Sequence, residues 1–410
     1  MRYISCLLLS CFLWVFLSCG VASAAGPERV AAAIDAFAID VYLQLAEGKG
    51  NIFFSPYSIA SALAMTYAGA DGETAAEMAK ALRFADIESA DQFSPHASLK
   101  KLRDSLGAIS GDVGTLEIAN RLWLDREMNL LPDYTALVGE NYSGGVEKLN
   151  FVKDAEGARA TINGWVAERT HDKIRNLLQD GDVTPLTRLV LTNAIYFNSV
   201  WMEPFRKELT EETPFRAALN ERKNVPMMRR TGFFFYGEAP ELQLIKIPYR
   251  APGLSLLVLL PRENESFTQL EQMERKLSPR ELSAWTAAMT RREVTLRLPK
   301  FRDEQRCSLK EILEKLGMKL AFSGGADFSK MADASKEDRI AIDAVIHQAF
   351  IELDERGTEA AAATAVGMMR TTAFLPREDP IEFRADHPFV YCIMDDATGT
   401  ILFMGRMAGP

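Results

Sequence analysis

The spacing of apolar residues in the first part of the chain predicts helices. Apolar positions recur every three to four residues over 30–46, 58–68, 74–82 and 155–171, which is the period of one helix face. The same rule gives no comparable stripe around the four consecutive alanines near residue 360. We therefore expect the first third to be mainly helical.

The last half of the chain reads as strands. Residues 189–197 form a nearly continuous apolar run rich in β-branched and aromatic side chains, which predicts a central strand buried on both faces. The other strand signals are a hairpin of 244–249 and 254–260 turning at 251–253, a half-exposed strand at 294–298, and a pair at 389–394 and 401–404. Helices precede strands without regular βαβ alternation, so the expected class is α+β.

Composition limits the possible functions. The chain has 410 residues, 48% of them hydrophobic, and a net charge of −9, so it can bury a large core and nucleic acid is not the expected partner. No linker or internal repeat divides it, and we expect one domain over residues 25–410. Four histidines, no nucleophile elbow, no metal-ligand spacing and no phosphate loop argue against an enzyme, a metal or a cofactor.

The N-terminus predicts export. Arg2 precedes an apolar run over 4–17, and Ala22-Ser23-Ala24 fits a cleavage site before Ala25, so residues 1–24 are expected to be a signal peptide. The run is short for a membrane span. The mature protein would be secreted or periplasmic; a minor alternative is a lipid anchor on Cys19.

The mature chain would keep two cysteines, Cys307 and Cys392. Two cysteines do not make a disulfide framework, so the core must supply most of the stability. They are either two buried free thiols, which we favour, or one bridge.

A segment of very small side chains stands near the C-terminus. Ala360-Ala361-Ala362-Ala363 would favour helix by propensity, but the flanks are strand-like on one side and turn-rich on the other. No proline occurs over 357–369, so no backbone donor would be missing if the segment joined a sheet. The composition suits a segment that slides between two existing strands.

Many separate motifs, in one order from about residue 30 to the C-terminus, resemble the serpin family. Each is weak alone, and their joint order is specific. They are Asn51-Ile52-Phe53-Phe54-Ser55-Pro56-Tyr57-Ser58-Ile59, Thr161-Ile162-Asn163-Gly164-Trp165-Val166, Leu191-Thr192-Asn193-Ala194-Ile195-Tyr196-Phe197, Trp201, Leu298-Pro299-Lys300-Phe301, Ala326-Asp327-Phe328-Ser329 and Ala385-Asp386-His387-Pro388-Phe389.

The resemblance implies a helical bundle on three β-sheets with an exposed reactive loop, here about residues 355–383. In the family, a target serine protease attacks this loop and forms an acyl-enzyme. The cleaved loop then enters the main sheet as a new strand and the protease is trapped. The protein is expected to be a monomer, but a loop that can enter its own sheet can also enter a neighbour's, which makes loop–sheet polymers a liability.

Insertion into a sheet requires uncharged side chains at the positions that face the core, and the segment after Gly357 has them. Alternate residues of an inserted strand face the core. If Thr358 faces inward, so do the uncharged residues at 360, 362, 364, 366 and 368, whereas Glu359 faces out. Gly357 is expected to be a permissive pivot. The hinge set carried over from the family is Glu355, Gly357, Thr358, Glu359, Ala360, Ala361 and Ala362.

Other positions are carried over one at a time. Lys300 is the expected salt-bridge partner of Glu355, an exposed pair by expectation, and Arg356 departs from the family pattern and could compete for the same carboxylate. Trp201 matches the tryptophan beneath the point where insertion starts, although Asn198-Ser199 departs from the usual residues before it. The polar cluster at the centre of the main sheet is matched by Ser55, Ser58, Asn193 and His347.

The scissile bond is left between two alternatives. The usual count from Glu355 places it at Thr371–Thr372, and a spacing one residue shorter places it at Arg370–Thr371. We favour Arg370 and a trypsin-like target, because arginine fits an acidic specificity pocket. An elastase-like or papain-like target is the alternative, as is a non-inhibitory binding or carrier protein. The basic clusters at 100–103, 229–230 and 291–292 could bind a polyanion, although such clusters more often form a solvated face.

Overall fold

The computed structural model describes residues 26–88, 94–106, 114–142, 145–217, 222–262, 268–333, 340–358 and 379–409. Most helices lie in the N-terminal half, as the apolar spacing predicts. The α-helices in the described residues are α1 (Gly26–Leu45), α2 (Pro56–Tyr67), α3 (Gly72–Ala81), α4 (Ala85–Glu88), α5 (Pro95–Leu106), α6 (Pro132–Asn141), α7 (Ala155–Arg169), α8 (Thr268–Lys276), α9 (Pro279–Ala287) and α10 (Lys310–Lys315).

The strands form three sheets in the described residues. They are β1 (Ile52–Phe54), β2 (Gly114–Asp125), β3 (Asn129–Leu130), β4 (Val146–Leu149), β5 (Leu189–Val200), β6 (Glu211–Arg216), β7 (Arg222–Ala239), β8 (Leu242–Pro248), β9 (Leu254–Pro261), β10 (Thr290–Pro299), β11 (Phe301–Ser308), β12 (Ala332–Asp333), β13 (Ala344–Leu353), β14 (Gly357–Thr358), β15 (Ile381–Arg384), β16 (Phe389–Asp395) and β17 (Ile401–Met407).

A six-stranded sheet and a nine-stranded sheet enclose the core. The six-stranded sheet has the order β11-β13-β14-β5-β2-β4, and the nine-stranded sheet runs β1-β17-β16-β9-β8-β7-β10-β15, with β6 added on β7. The third sheet is the short pair β12-β3. Helices plus three sheets confirm the expected fold.

Strand β5 lies at the centre of the six-stranded sheet and is covered on both faces. Leu191, Ile195 and Phe197 belong to the main core with α1 and α2. Val190 and Ala194 belong to a second, smaller core beneath α7. Such double burial explains why the strand reads as a continuous apolar run, and the prediction for 189–197 is confirmed.

Helix α2 is placed by its first residues. The hydroxyl of Ser55 accepts the Ser58 backbone N–H, which caps the helix, and Pro56 occupies the first turn where no N–H partner is needed. Every residue from 56 to 66 is buried, because the helix lies between the two sheets. The cap therefore sets Ser55 and Ser58 directly under the six-stranded sheet.

Most predicted elements are confirmed. The four helical stripes correspond to α1, α2, α3 and α7, and the hairpin is β8-β9 with Gly253 at φ +73° in its turn. Strands β16 and β17 pair as expected. The half-exposed strand at 294–298 is wrong in one respect: Thr295 is 4% exposed, since its hydroxyl meets that of Thr231 at 3.0 Å on the neighbouring strand.

Candidate functional site at the loop hinge

The six-stranded sheet is forked at one end. Strands β13 and β5 pair directly and in parallel from Ala344 opposite Val190 to Phe350 opposite Tyr196. Beyond that point β14 lies between them, with Thr358 opposite Ser199 on β5 and opposite Leu353 on β13. The two residues that begin the loop thus already occupy a strand position.

A tight turn connects β13 to β14. The side chain of Asp354 accepts the backbone N–H groups of Arg356 at 2.8 Å and Gly357 at 3.2 Å. The Asp354 backbone N–H in turn donates to the Gly357 carbonyl at 2.9 Å. Trp201 holds the outside of the turn: its indole N–H donates to the Asp354 carbonyl at 3.0 Å, and its backbone N–H donates to the Arg356 carbonyl at 2.7 Å.

Gly357 is required by space and not by backbone conformation. Its φ is outside the left-handed region in this conformation, and its role as a permissive pivot during insertion stays a prediction. A Cβ at this position would lie 2.0 Å from the Ser199 carbonyl oxygen and 2.6 Å from the Val200 Cα. Any side chain here must push β14 away from β5.

Thr358 is buried and anchored by an aromatic pair. It is 1% exposed, and its hydroxyl lies 2.7 Å from that of Tyr249. The Tyr249 ring stacks on Trp201 with 4.5 Å between ring centroids and 15° between planes. Burial raises the pKa of Tyr249 above its usual value, so the phenol stays protonated and available for this bond.

Glu355 pairs with Lys300 as the sequence suggested, at 2.9 Å between Oε2 and Nζ. The Thr210 hydroxyl donates to the other carboxylate oxygen at 2.9 Å. Glu355 is only 3% exposed, so the pair is not the exposed one expected from sequence. Burial alone would raise the pKa of Glu355, but the Lys300 ammonium, a backbone N–H and the Thr210 hydroxyl together lower it below its usual value.

A buried polar cluster lies below the fork, where β13 and β5 still pair. Asn193 on β5 donates to the Ser58 hydroxyl at 2.6 Å and to the side-chain oxygen of Asn120 on β2. The Ser58 hydroxyl donates to the same Asn120 oxygen at 3.0 Å, and the Asn120 amide donates to the Ser58 carbonyl at 2.9 Å. The cluster therefore joins the sheet to the start of α2.

His347 on β13 completes this cluster. Its Nε2 accepts the Ser55 backbone N–H at 3.1 Å, so the ring proton is on Nδ1, which donates to the side-chain oxygen of Asn193. Full burial lowers the pKa of His347 to about 3, which keeps the ring neutral. The His347–Asn193 bond crosses between the two strands that insertion would separate.

Other predicted site residues lie outside the described residues. These are the hinge residues Glu359, Ala360, Ala361 and Ala362, the scissile-bond residues Arg370, Thr371 and Thr372, and the signal sequence with Cys19. Cys307 and Cys392 are free thiols, of which Cys392 is buried and Cys307 partly so. Burial raises the pKa of the Cys307 thiol to about 12. In the part of the chain that the structure describes, no helix is long and apolar enough to cross a membrane.

Sequence reasoning missed four residues of the hinge and the cluster: Tyr249, Asp354, Thr210 and Asn120. Tyr249 closes the predicted hairpin strand, and nothing near it indicates a partner 109 positions away. Asp354 carries a usable signal, because an aspartate three residues before a glycine, here Gly357, favours a side-chain-capped turn. Asn120 lies in the middle of β2 beside Arg121, and these polar residues hide the strand pattern that would have pointed to it.

Comparison with known proteins gives the same identification. The family model serpin (serine protease inhibitor) matches residues 32–410. The leukocyte elastase inhibitor of Bos taurus is 40% identical over 93% of this chain and 100% of its own length. An uncharacterised serpin-like protein of Thermococcus kodakarensis is 39% identical over 94% of this chain and 87% of its own length.

Solved structures agree. Uncleaved ovalbumin superposes with a TM-score of 0.81 at 33% identity, covering 93% of this chain and all of that one. Fold, hinge and comparisons together define the class as a serpin-type protease inhibitor. The chain belongs to the serpin family.

Proposed function

We propose that the protein is a suicide-substrate inhibitor of serine proteases that traps its target by inserting the cleaved loop between β5 and β13. The observation that carries this proposal is the position of β14. Gly357 and Thr358 already lie between those strands in antiparallel register with β5. The first two residues of the inserted strand are therefore already in place, and the strand can lengthen from them.

Continuing the observed register assigns each loop residue a place. Thr358 is opposite Ser199 and Leu353, so six residues further on Thr364 would lie between Asn193 and His347. Insertion would break the His347–Asn193 bond, and the Thr364 hydroxyl, lying between these two side chains, would replace the partner that each has lost. Insertion would thus exchange one hydrogen bond for another instead of leaving buried polar groups unpaired.

The same register supports small inward residues. Ala360 and Ala362 would face the core opposite Phe197 and Ile195, which belong to the main core. Glu359 would lie opposite Asn198, a partly exposed residue at the open end of the sheet. Met368 would reach Leu189, the first residue of β5, so residues 358–368 fill the strand and the next two or three link it to the bound protease.

We assign the scissile bond to Arg370–Thr371 and a trypsin-like target, because Arg370 can enter an acidic specificity pocket. A second candidate is Thr371–Thr372 with an elastase-like target. It is favoured by relatives named leukocyte elastase inhibitor at up to 40% identity. Cleavage at either bond would leave the same residues, 358–368, to insert as a strand.

Incubation with trypsin and with leukocyte elastase tests both points. An SDS-stable complex supports inhibition by trapping. The released C-terminal peptide starts at Thr371 if the protease cleaves after Arg370, and at Thr372 if it cleaves after Thr371. Loop cleavage without a covalent complex, and without a rise in thermal stability, would instead indicate a non-inhibitory binding or carrier role.

Export completes the proposal. The apolar run and the small residues at 22–24 support cleavage before Ala25 and a secreted or periplasmic protein. Mass spectrometry of the mature N-terminus tests it. A chain beginning at Ala25 supports a signal peptide, a lipid-modified Cys19 supports the anchored alternative, and an intact Met1 contradicts both.

A further inference from the structure

Two phenylalanines are exposed on one face of β7. Phe233 is 56% exposed and Phe235 53%, and they are two of the five large hydrophobic residues that are exposed in the described chain. Residues two apart on a strand point to the same side. They therefore form one contiguous aromatic surface, and exposed apolar surface bordered by polar residues is typical of interaction sites.

Arginines border this surface on the same face. Arg291 on β10 is opposite Phe235, and its guanidinium lies 5.0 Å from the centre of the Phe233 ring. Arg229 is two positions beyond Thr231 on β7 and is exposed. No ion pair among the described residues involves Arg229 or Arg291, and the one carboxylate opposite the phenylalanines, that of Glu293, is partly buried.

The surface lies beside the point where the loop returns to the fold. Strand β15, the first described segment after the loop, pairs with β10, and β10 pairs with β7. Two strand spacings, about 10 Å, therefore separate β15 from the phenylalanines. Val294 is opposite both Ile381 and Gly232, which places Phe233 level with the start of β15.

Chain length ties a bound protease to this region. Eight residues lie between Thr372 and Ile381, and the nine Cα–Cα steps, at about 3.5 Å each, span roughly 30 Å at most. A globular protease domain of about 230 residues has a radius of gyration of about 17 Å. A protease engaged at the scissile bond is therefore held within reach of β7 and β10.

From this geometry we infer that Phe233, Phe235, Arg229 and Arg291 form a docking surface for an acidic face of the target protease. The inference rests on the proposed inhibitory function and adds a second contact to it. Aromatic side chains bordered by arginine are the composition of interface hot spots. A polyanion would use the arginines but would gain little from two exposed phenyl rings, so a protein partner fits the surface better.

The test compares association rate constants of intact protein with two probes, anionic trypsin and leukocyte elastase. We expect the Phe233→Ala/Phe235→Ala double variant to associate at least about five-fold more slowly with the inhibited probe. The stoichiometry of inhibition should not change, because β7 takes no part in insertion. Arg291→Glu should slow association further at low salt and lose the effect at high salt.

Leu186→Ala is the matched control, since Leu186 is 80% exposed and lies outside this face. Its rate should equal that of the unmodified protein. Equal rates for the double variant, with normal covalent complex, would overturn the docking surface and leave the inhibitory function intact. Loss of heparin binding without a change in rate would also overturn it in favour of a polyanion site. No covalent complex with either probe would overturn the proposed function itself, and the docking surface with it.

Discussion

The Tyr249 hydroxyl lies 2.7 Å from the hydroxyl of Thr358, and this bond joins the loop hinge to the turn between β8 and β9. Thr358 belongs to the six-stranded sheet, and Tyr249 directly follows β8 of the nine-stranded sheet. Trp201 supports the bond by stacking on the Tyr249 ring. The hinge strand β14 is therefore held by the stacked Tyr249 and Trp201 as well as by its two neighbours in the sheet, β5 and β13.

Tyr249→Phe should release the hinge. It removes the partner of a hydroxyl on a residue that is 1% exposed, which costs about 1–3 kcal/mol. Because that cost falls on β14 in its strand position, the Arg356–Gly357 bond should become accessible. Brief trypsin digestion followed by mass spectrometry would detect it as a new fragment beginning at Gly357, distinct from loop fragments beginning at Thr371.

Tyr134→Phe is the control for that variant. The Tyr134 hydroxyl donates to the Met65 carbonyl at 3.1 Å, far from the hinge, and its loss removes a buried bond of similar kind. It should lower thermal stability without exposing Arg356–Gly357. Equal cleavage at that bond in both variants would mean that general destabilisation, and not the Tyr249–Thr358 bond, controls the hinge.

Gly357→Ala should convert the inhibitor into a substrate. A Cβ placed 2.0 Å from the Ser199 carbonyl cannot be accommodated, so β14 must leave its position and insertion loses its starting point. Gly357→Pro and Thr358→Arg should act in the same direction, the latter by burying a charge. The measurement is the stoichiometry of inhibition against the protease that forms the complex, which should rise several-fold.

Gly324→Ala is the matched glycine control, since a Cβ there meets nothing within 4 Å. It should inhibit normally. If the three hinge variants also gave unchanged yields of covalent complex, insertion from β14 could not be the mechanism.

The sequence predicted local elements well and long-range partners poorly. Strand β5 is recognisable because burial on both faces leaves an unbroken apolar run, and α2 because Ser55-Pro56 marks its start. Strand β2 was not predicted, since Glu117, Asn120 and Arg121 interrupt its apolar pattern. These polar residues are tolerated there because neighbouring elements supply partners, such as Glu147 for Arg121 and Ser58 for Asn120.

The site residues show the same contrast between what the sequence predicts and what depends on long-range partners. Family resemblance placed His347 and Asn193 in one cluster, and register places them opposite each other. Neither resemblance nor periodicity indicated Tyr249, whose role depends on how two sheets approach. Burial also changed the meaning of residues that were chosen correctly: Glu355 is enclosed, and Gly357 is constrained by a neighbouring backbone.

Acid should weaken the closed sheet through His347. Its pKa in the fold is about 3, below the ordinary value of 6.5, so the neutral ring stabilises the fold above pH 6.5. That contribution is lost progressively as pH falls from 6.5 towards 3, because the unfolded or opened state binds the proton more readily. Loop–sheet polymerisation, followed on native gels, should therefore accelerate over this range.

His347→Gln should flatten this pH dependence, because an amide can donate to Asn193 and accept from Ser55 without titrating. His96→Gln is the control. Burial lowers the pKa of His96 to about 4, but its ring contacts Tyr142, away from the fork. A polymerisation profile altered equally by both changes would argue against a specific role of His347.

Asp35 should give the opposite pH dependence. Its carboxylate, on α1, accepts the Ile401 backbone N–H at 2.8 Å, and burial raises its pKa to about 7 although this bond lowers it. The folded state thus binds the proton more tightly than the unfolded state, and stability is lost as pH rises from about 4 to 7.

Asp35→Asn keeps an acceptor for Ile401 without the charge. At pH 8 it should stabilise the fold by at most about 4 kcal/mol, seen as a higher thermal midpoint, and at pH 4 by little. Asp71→Asn is the control: this partly exposed carboxyl has a pKa lowered by Lys330, so its replacement should give no such gain between pH 6 and 8. A gain for Asp35→Asn that is equal at pH 4 and pH 8 would refute a charge effect.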